Sequence, residues 1–194
     1  MKFVSGLILA AGASSRLGQP KQLLPYKGTT LLGWVVKQIE TCKALDEVIV
    51  VLGKNAEDVQ KQVEFTNSKV VINPGTEQGC SASYRKGISA FDTRSEALVV
   101  LLGDQPGVDP EIVEQVVSFW RNDGSNIVLA NYQGRKGHPM IFSKDIFHLL
   151  VDLHGDKAVW KLVDQHPEWV REVPIDRTYP RDVNTWEDYQ ALLE

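Results

Sequence analysis

Two cations, Arg16 and Lys21, share the stretch Leu9-Ala10-Ala11-Gly12-Ala13-Ser14-Ser15-Arg16-Leu17-Gly18-Gln19-Pro20-Lys21. A loop poor in Cβ atoms lets main-chain N–H groups come close to an anion. With two positive side chains added, such a loop is a way to hold phosphates. Far along the chain, Asp104 follows the most apolar run, Ala97–Gly103, and precedes Gln105-Pro106, which cannot continue a ladder. A carboxylate in that place projects into the crevice at a strand end, where Mg²⁺ finds a hard oxygen ligand. Taken alone, Asp104 reads more readily as a turn former or helix cap. Opposite a cationic loop, a metal-holding carboxylate completes a triphosphate site. The loop has neither the Walker spacing nor Gly-x-Gly-x-x-Gly, so a plain dinucleotide-binding oxidoreductase is the weakest reading.

The elements that must position these groups alternate in type. Strands are expected at Phe3–Ala10, Glu47–Leu52, Lys69–Asn73, Ala97–Gly103, Asn126–Ala130 and Val170–Val173, with a short Met140–Phe142 pairing antiparallel. Helices are expected at Thr30–Cys42, Ala56–Phe65, Gln78–Phe91, Pro110–Arg121, Lys144–Val151, Asp156–Asp164 and Thr185–Leu193. Asp109 caps the helix that opens on Pro110. The stretch Asn131–Pro139 reads as a polar, glycine-containing excursion. Alternation of this kind predicts an α/β fold: a three-layer α/β/α domain around a mostly parallel, Rossmann-like sheet. Ligands of such sheets sit at the carboxyl ends of the strands, where the loop, Asp104 and the segment Gly75–Arg85 all fall.

The 194 residues suit a single domain with a substantial core. A hydrophobic share of 43% and a charged share of 24% are ordinary for a globular protein. The net charge of −4 supplies no basic field, so no nucleic-acid partner is expected. Cys42 and Cys80 form neither a disulfide framework nor a metal-ligand spacing. Ser5 interrupts the first apolar run, no run reaches the length of a membrane span, and the expected location is the cytoplasm without a membrane partner.

The opening stretch, continued through Gln22-Leu23-Leu24-Pro25, resembles the signature of the MobA-like nucleotidyltransferases. Gly103-Asp-Gln-Pro106, Gly79-Cys-Ser-Ala-Ser83, Gly137-His-Pro139, Gly155-Asp-Lys157 and Asp182-Val-Asn-Thr185 resemble the molybdenum cofactor cytidylyltransferase branch. The resemblance implies a sheet of the nucleotide-diphospho-sugar transferase type, with 1–110 as a nucleotide-binding half and 111–194 as an acceptor-binding half. It also implies Mg²⁺ as cofactor, with CTP and the phosphate of molybdopterin as substrates, and a molybdenum hydroxylase apoenzyme as a further partner. Arg16 and Lys21 would sit on the phosphates and Asp104 would hold Mg²⁺, with Asn184, or Asp182 in its stead, as the second metal contact. Leu9, Ala10, Ala11, Gly12, Gly79, Ser81 and Ser83 would line the nucleotide. Ala11 is similar to the cytidine-using branch, whereas the guanosine-using branch tends to carry Gly there. Helix capping is a nearly equal reading of Ser81 and Ser83.

Gln105, His138 and Asp156 are expected on the acceptor side, with Arg135 and Lys136 suited to an anionic phosphate. Ala158-Val159-Trp160 departs from the branch, which often continues Gly-Ala-Arg, and removes one cation from that side. Trp34, Trp120 and Trp160 read first as core. Two other readings stand beside the cytidylyltransferase: a same-fold enzyme using GTP or a sugar or polyol phosphate, and a non-catalytic protein that binds or inserts a finished cofactor.

Overall fold

The computed structural model describes residues 2–75, 80–153 and 158–194. Strand β1 (Phe3–Ala10) is buried along almost its whole length and runs into the small-residue loop. A single 3-10 turn at Lys21–Leu23 leads to a tight hairpin, β2 (Pro25–Tyr26) and β3 (Thr29–Thr30), which has no counterpart among the sequence expectations. Helix α1 (Leu31–Ile39) starts at Thr30, whose hydroxyl accepts from Gly33 N at 3.0 Å. Then come β4 (Glu47–Leu52), α2 (Ala56–Gln62), β5 (Ser68–Ile72), α3 (Cys80–Ile88) and β6 (Ser95–Leu102). Helix α4 (Pro110–Asp123) carries the expected cap, with Asp109 Oδ1 accepting from Ile112 N at 3.0 Å.

The second half differs from the alternating pattern. Strand β7 (Ile127–Tyr132) turns back at Gln133 and Gly134 into a long β8 (Arg135–Ser143). The expected excursion is therefore the tip and first half of a hairpin, and Met140–Phe142 is only the inner end of β8. Helices α5 (Phe147–Val151) and α6 (Ala158–Gln165), strand β9 (Val170–Ile175) and helix α7 (Trp186–Leu193) follow.

The seven strands lie in the order β5-β4-β1-β6-β8-β7-β9. Neighbours are parallel except β8, which runs antiparallel to β6 and to β7. Alternate residues of each central strand face opposite layers, as a pleat requires. Ile8, Val50, Val99 and Leu101 pack with α1, α2 and α4, whereas Leu7, Leu9, Ile49, Leu98 and Val100 pack with α3, α5 and α6. Both faces are covered, which is why these strands read as unbroken apolar runs. Each such side chain, nearly water-free, contributes about 1.5–3 kcal/mol to folding. A third, smaller cluster (Leu17, Leu24, Tyr26, Leu31, Val183) joins the N-terminal loop to α7. Among the described residues no helix is long and apolar enough to cross a membrane.

Candidate active site

Strand β1 and strand β6 are neighbours, so the loop after one and the Asp after the other open on the same edge. Gly103 makes this closeness possible: a Cβ there would stand 2.9 Å from the Ala10 Cβ and 2.9 Å from Leu32 Cδ1. Gly53, at the end of β4, lies still tighter, since its Cβ would meet the Ala11 carbonyl oxygen at 2.4 Å. The loop is thus seated between two close approaches, Gly103 against the Ala10 and Leu32 side chains and Gly53 against the Ala11 backbone, that leave no ready space for a Cβ.

Gln22 fixes the loop from beneath. It is buried, and its amide donates to Ala10 O at 2.8 Å and to Gly12 O at 3.0 Å. Gln22 belongs to the opening motif, and its type and spacing alone point to no role. An amide placed between Lys21 and the apolar pair Leu23-Leu24 is the signal that could have found it. Ser14 Oγ accepts from Lys21 N at 3.0 Å and closes the loop on itself.

Residues 176–185 cross back from β9, at the sheet's edge, to the end of β6. Tyr179 packs edge-on to Tyr132, and the guanidinium of Arg135 stacks over the Tyr179 ring at 3.5 Å. Buried Gln105 donates to Asp182, and Val183 N donates to Asp104 O at 3.1 Å. Asn184 is held by the start of α7, where Asp188 Oδ2 accepts from Asn184 N at 3.0 Å and from Thr185 N at 2.8 Å. These N–H groups hold the Asp188 carboxyl below its usual range, the Asn184 N–H contributing most. The result brings Asp104, Asp182 and Asn184 to one place from two distant stretches of chain.

Lys21 enters that group. Its ammonium donates to Asp104 Oδ2 and, at 3.0 Å, to Asn184 Oδ1. The Lys21 and Asp104 side chains are only 14% and 16% exposed, so the pair is largely shielded from water. Asp182 is pushed up from the usual carboxylate range, first by burial and then by the negative charge of Asp104. Two carboxylates and an amide oxygen around a positive charge form a hard-oxygen set of the kind a divalent cation takes, and the ammonium itself is the cation found there.

These groups line a cavity of about 410 Å³, together with Leu9, Ala10, Ala11, Gly12, Ala13, Gln22, Ser83 and Gly103. Ser83 accepts from Asn73 Nδ2 at 3.1 Å, which orients its hydroxyl, while Ser81 is buried in α3. Arg16 belongs to the same loop and faces outward. It is exposed, is not among the cavity's lining, and its charge reaches Asp188 instead.

His138 lies on β8, inside the sheet. It is 5% exposed, sits edge-on to Trp160, and has no partner for Nε2 among the described residues. Burial brings it down to about 4. Lys136 pairs with Glu172 at 2.9 Å, whereas Arg135 stays exposed above Tyr179. Trp120 is core, and Trp34 packs against the third cluster. Gly79, Gly155, Asp156 and Lys157 lie outside the described residues.

Several comparisons bear on this site. The chain is 32% identical over 200 residues to nicotine blue oxidoreductase of Paenarthrobacter nicotinovorans, covering 98% of this chain and 96% of that protein. It is 32% identical over 146 residues to molybdenum cofactor cytidylyltransferase of Escherichia coli K12, covering 74% and 72%. The crystal structure of Rv0371c from Mycobacterium tuberculosis is similar over 99% of this chain and 97% of that one, with 39% identity and a TM-score of 0.92. A structure of Rv0371c in complex with manganese shares 37% identity over 98% of each chain, with a TM-score of 0.87. Residues 6–170 match the MobA-like NTP transferase domain. The chain belongs to the MobA-like NTP transferase family and is a nucleotidyltransferase.

Proposed function

We propose that the protein transfers CMP from CTP to the phosphate of molybdopterin, releasing pyrophosphate, with Mg²⁺ as cofactor. The observation that carries this reading is the meeting of Lys21, Asp104, Asp182 and Asn184 at the mouth of the small-residue loop. Support for cytidine comes from Ala11 in the cavity wall and from the E. coli relative named a cytidylyltransferase. The 1–110 half would hold the nucleotide and the 111–194 half the acceptor.

In-line transfer at phosphorus needs positioning and charge neutralisation more than covalent help from the protein. An oxygen of the acceptor phosphate bonds to the α-phosphorus as the bond to the bridging β-phosphate oxygen breaks. That oxygen is already ionised, so no side chain has to remove a proton. Asp104 and Asn184, with Asp182, would hold the divalent cation. When bound, the cation supplies Lewis-acid stabilisation of phosphate oxygens. The manganese complex of Rv0371c supports a divalent metal in this family. Lys21 would neutralise charge on the departing pyrophosphate, and Gln22 would keep the loop shaped for it. Arg16, exposed beside the loop, would reach the outer phosphates. Ser83 would meet the base or ribose. Gln105 would act by holding Asp182, on the side where the acceptor enters.

The test is pyrophosphate release with CTP, GTP or ATP and molybdopterin in Mg²⁺. Release with CTP supports the reading; preference for GTP, or turnover only with a sugar or polyol phosphate, replaces it with a same-fold alternative. Binding of CTP with no release under any acceptor favours the binding or insertion role. The relative named an oxidoreductase, matched along nearly its whole length, supplies a control: a redox assay with nicotine blue. Turnover there would overturn the transferase reading, and the absence of a dinucleotide glycine fingerprint argues for none.

A further inference from the structure

Lys21 stands where a hard cation would stand. Its ammonium donates to the Asp104 carboxylate and, at 3.0 Å, to the Asn184 amide oxygen, and its charge is felt at Asp182. An ammonium and a divalent cation compete for Asp104 Oδ2 and Asn184 Oδ1 and repel each other at short range. The backbone beneath is fixed, because Lys21 N donates to Ser14 Oγ at 3.0 Å and Lys21 opens the 3-10 turn. The stem runs beside the loop, with Cε only 3.8 Å from where a Cβ on Gly12 would be. Rotation about the outer side-chain bonds therefore carries the charge from the carboxylate to the loop face with no movement of the main chain.

We propose that Lys21 is a built-in counter-cation. It occupies the Asp104–Asn184 pair in the nucleotide-free protein, and an arriving triphosphate draws it off and releases those oxygens to the metal. This rests on the reading that Asp104 and Asn184 take a divalent cation. It has two consequences. Metal alone binds weakly, because it must displace a paired ammonium. Metal and nucleotide each strengthen the other's binding by the same factor, as linkage demands.

The experiment measures Mn²⁺ held by the full chain in equilibrium dialysis, with and without CTP, so that the Mn²⁺–CTP complex formed in solution is equal on both sides and drops out. Lys21→Met keeps the stem and removes the charge; Lys21→Gln is a second neutral variant, and Lys21→Arg keeps a cation. Without CTP, the neutral variants bind Mn²⁺ about tenfold more tightly than wild type, a coupling of ordinary size, while Lys21→Arg stays near wild type. CTP tightens Mn²⁺ binding to wild type by a similar factor and does little for the neutral variants. Equal or weaker Mn²⁺ binding by folded neutral variants overturns the proposal, and leaves the metal reading intact if CTP still tightens Mn²⁺ on wild type. No Mn²⁺ binding by any variant, with CTP or without, overturns both.

Discussion

The edge where β1 and β6 end and the hairpin of β7 and β8 carry polar residues of equal chemical interest, yet treat them in opposite ways. At the first, Lys21 and Asp104 face a cavity and keep about a sixth of their side-chain surface open. At the second, His138 is sealed against Trp160 with a ring nitrogen that has no partner among the described residues. Parallel strands end in loops that open on a crevice, whereas an antiparallel strand carries its residues back into the sheet. The same kind of motif residue thus becomes a partly exposed ion facing a cavity in one region and a packed interior group in the other.

The most severe way to test that contrast is Asp104→Ala. Pyrophosphate release should fall by about 10³-fold, the scale of losing a key electrostatic group, while the variant still unfolds cooperatively on heating. Normal turnover would show that the open edge is not the working one.

Acidification probes the other region. Burial lowers His138 from 6.5 to about 4, so between those values the unfolded chain takes up a proton that the folded chain refuses. Stability from this source is complete above about pH 6.5 and is lost as pH falls toward 4, by up to about 3 kcal/mol. Urea unfolding at pH 7 and at pH 4.5 measures it, and His138→Gln should flatten that part of the profile. An unchanged slope in the variant would mean the ring is solvated.

Next in size is Gln22→Ala, which frees two loop carbonyls. A loss of about 1–2 kcal/mol in urea unfolding is expected, with weaker CTP binding by calorimetry. Smallest is Arg16→Ala, where an exposed side chain predicts a stability change within about 0.5 kcal/mol. CTP affinity should fall less than in Lys21→Ala; a larger fall would make Arg16 the principal phosphate ligand.

How much of this could be read in the residues follows the same division. Strands β1, β4 and β6 were legible because burial on both faces leaves an unbroken apolar run. Helix α4 was legible because its start is written in two adjacent residues, Asp109 and Pro110. The hairpin was not, since its turn puts Gln133 at φ 53° and Gly134 at φ 94° without the Asn-Gly or Asp-Gly pair that usually marks such a turn. The β2–β3 hairpin is too short to leave a period. Within the site, charged residues announced themselves by type, and the pairing of Lys21 with Asp104 joins two quoted motifs. Gln22 leaves only the faint mark of an amide beside an apolar pair, and Gly53 leaves none, because it acts through clearance, which no residue type signals. The separation of Arg16 from the cavity depends on which way a loop residue points, and spacing alone does not encode that.

The return of residues 176–185 across the strand ends also sets an order in time. The Lys21–Asn184 contact spans 163 positions, so a growing chain can build β1, β4, β5 and β6 with the phosphate-facing loop long before it can finish the opposite wall. Asp182 and Asn184 arrive only with α7, whose first turn locks Asn184 in place. A nascent chain on the ribosome would therefore present a folded sheet with an incomplete crevice, and nucleotide chemistry would wait on the last helix to emerge.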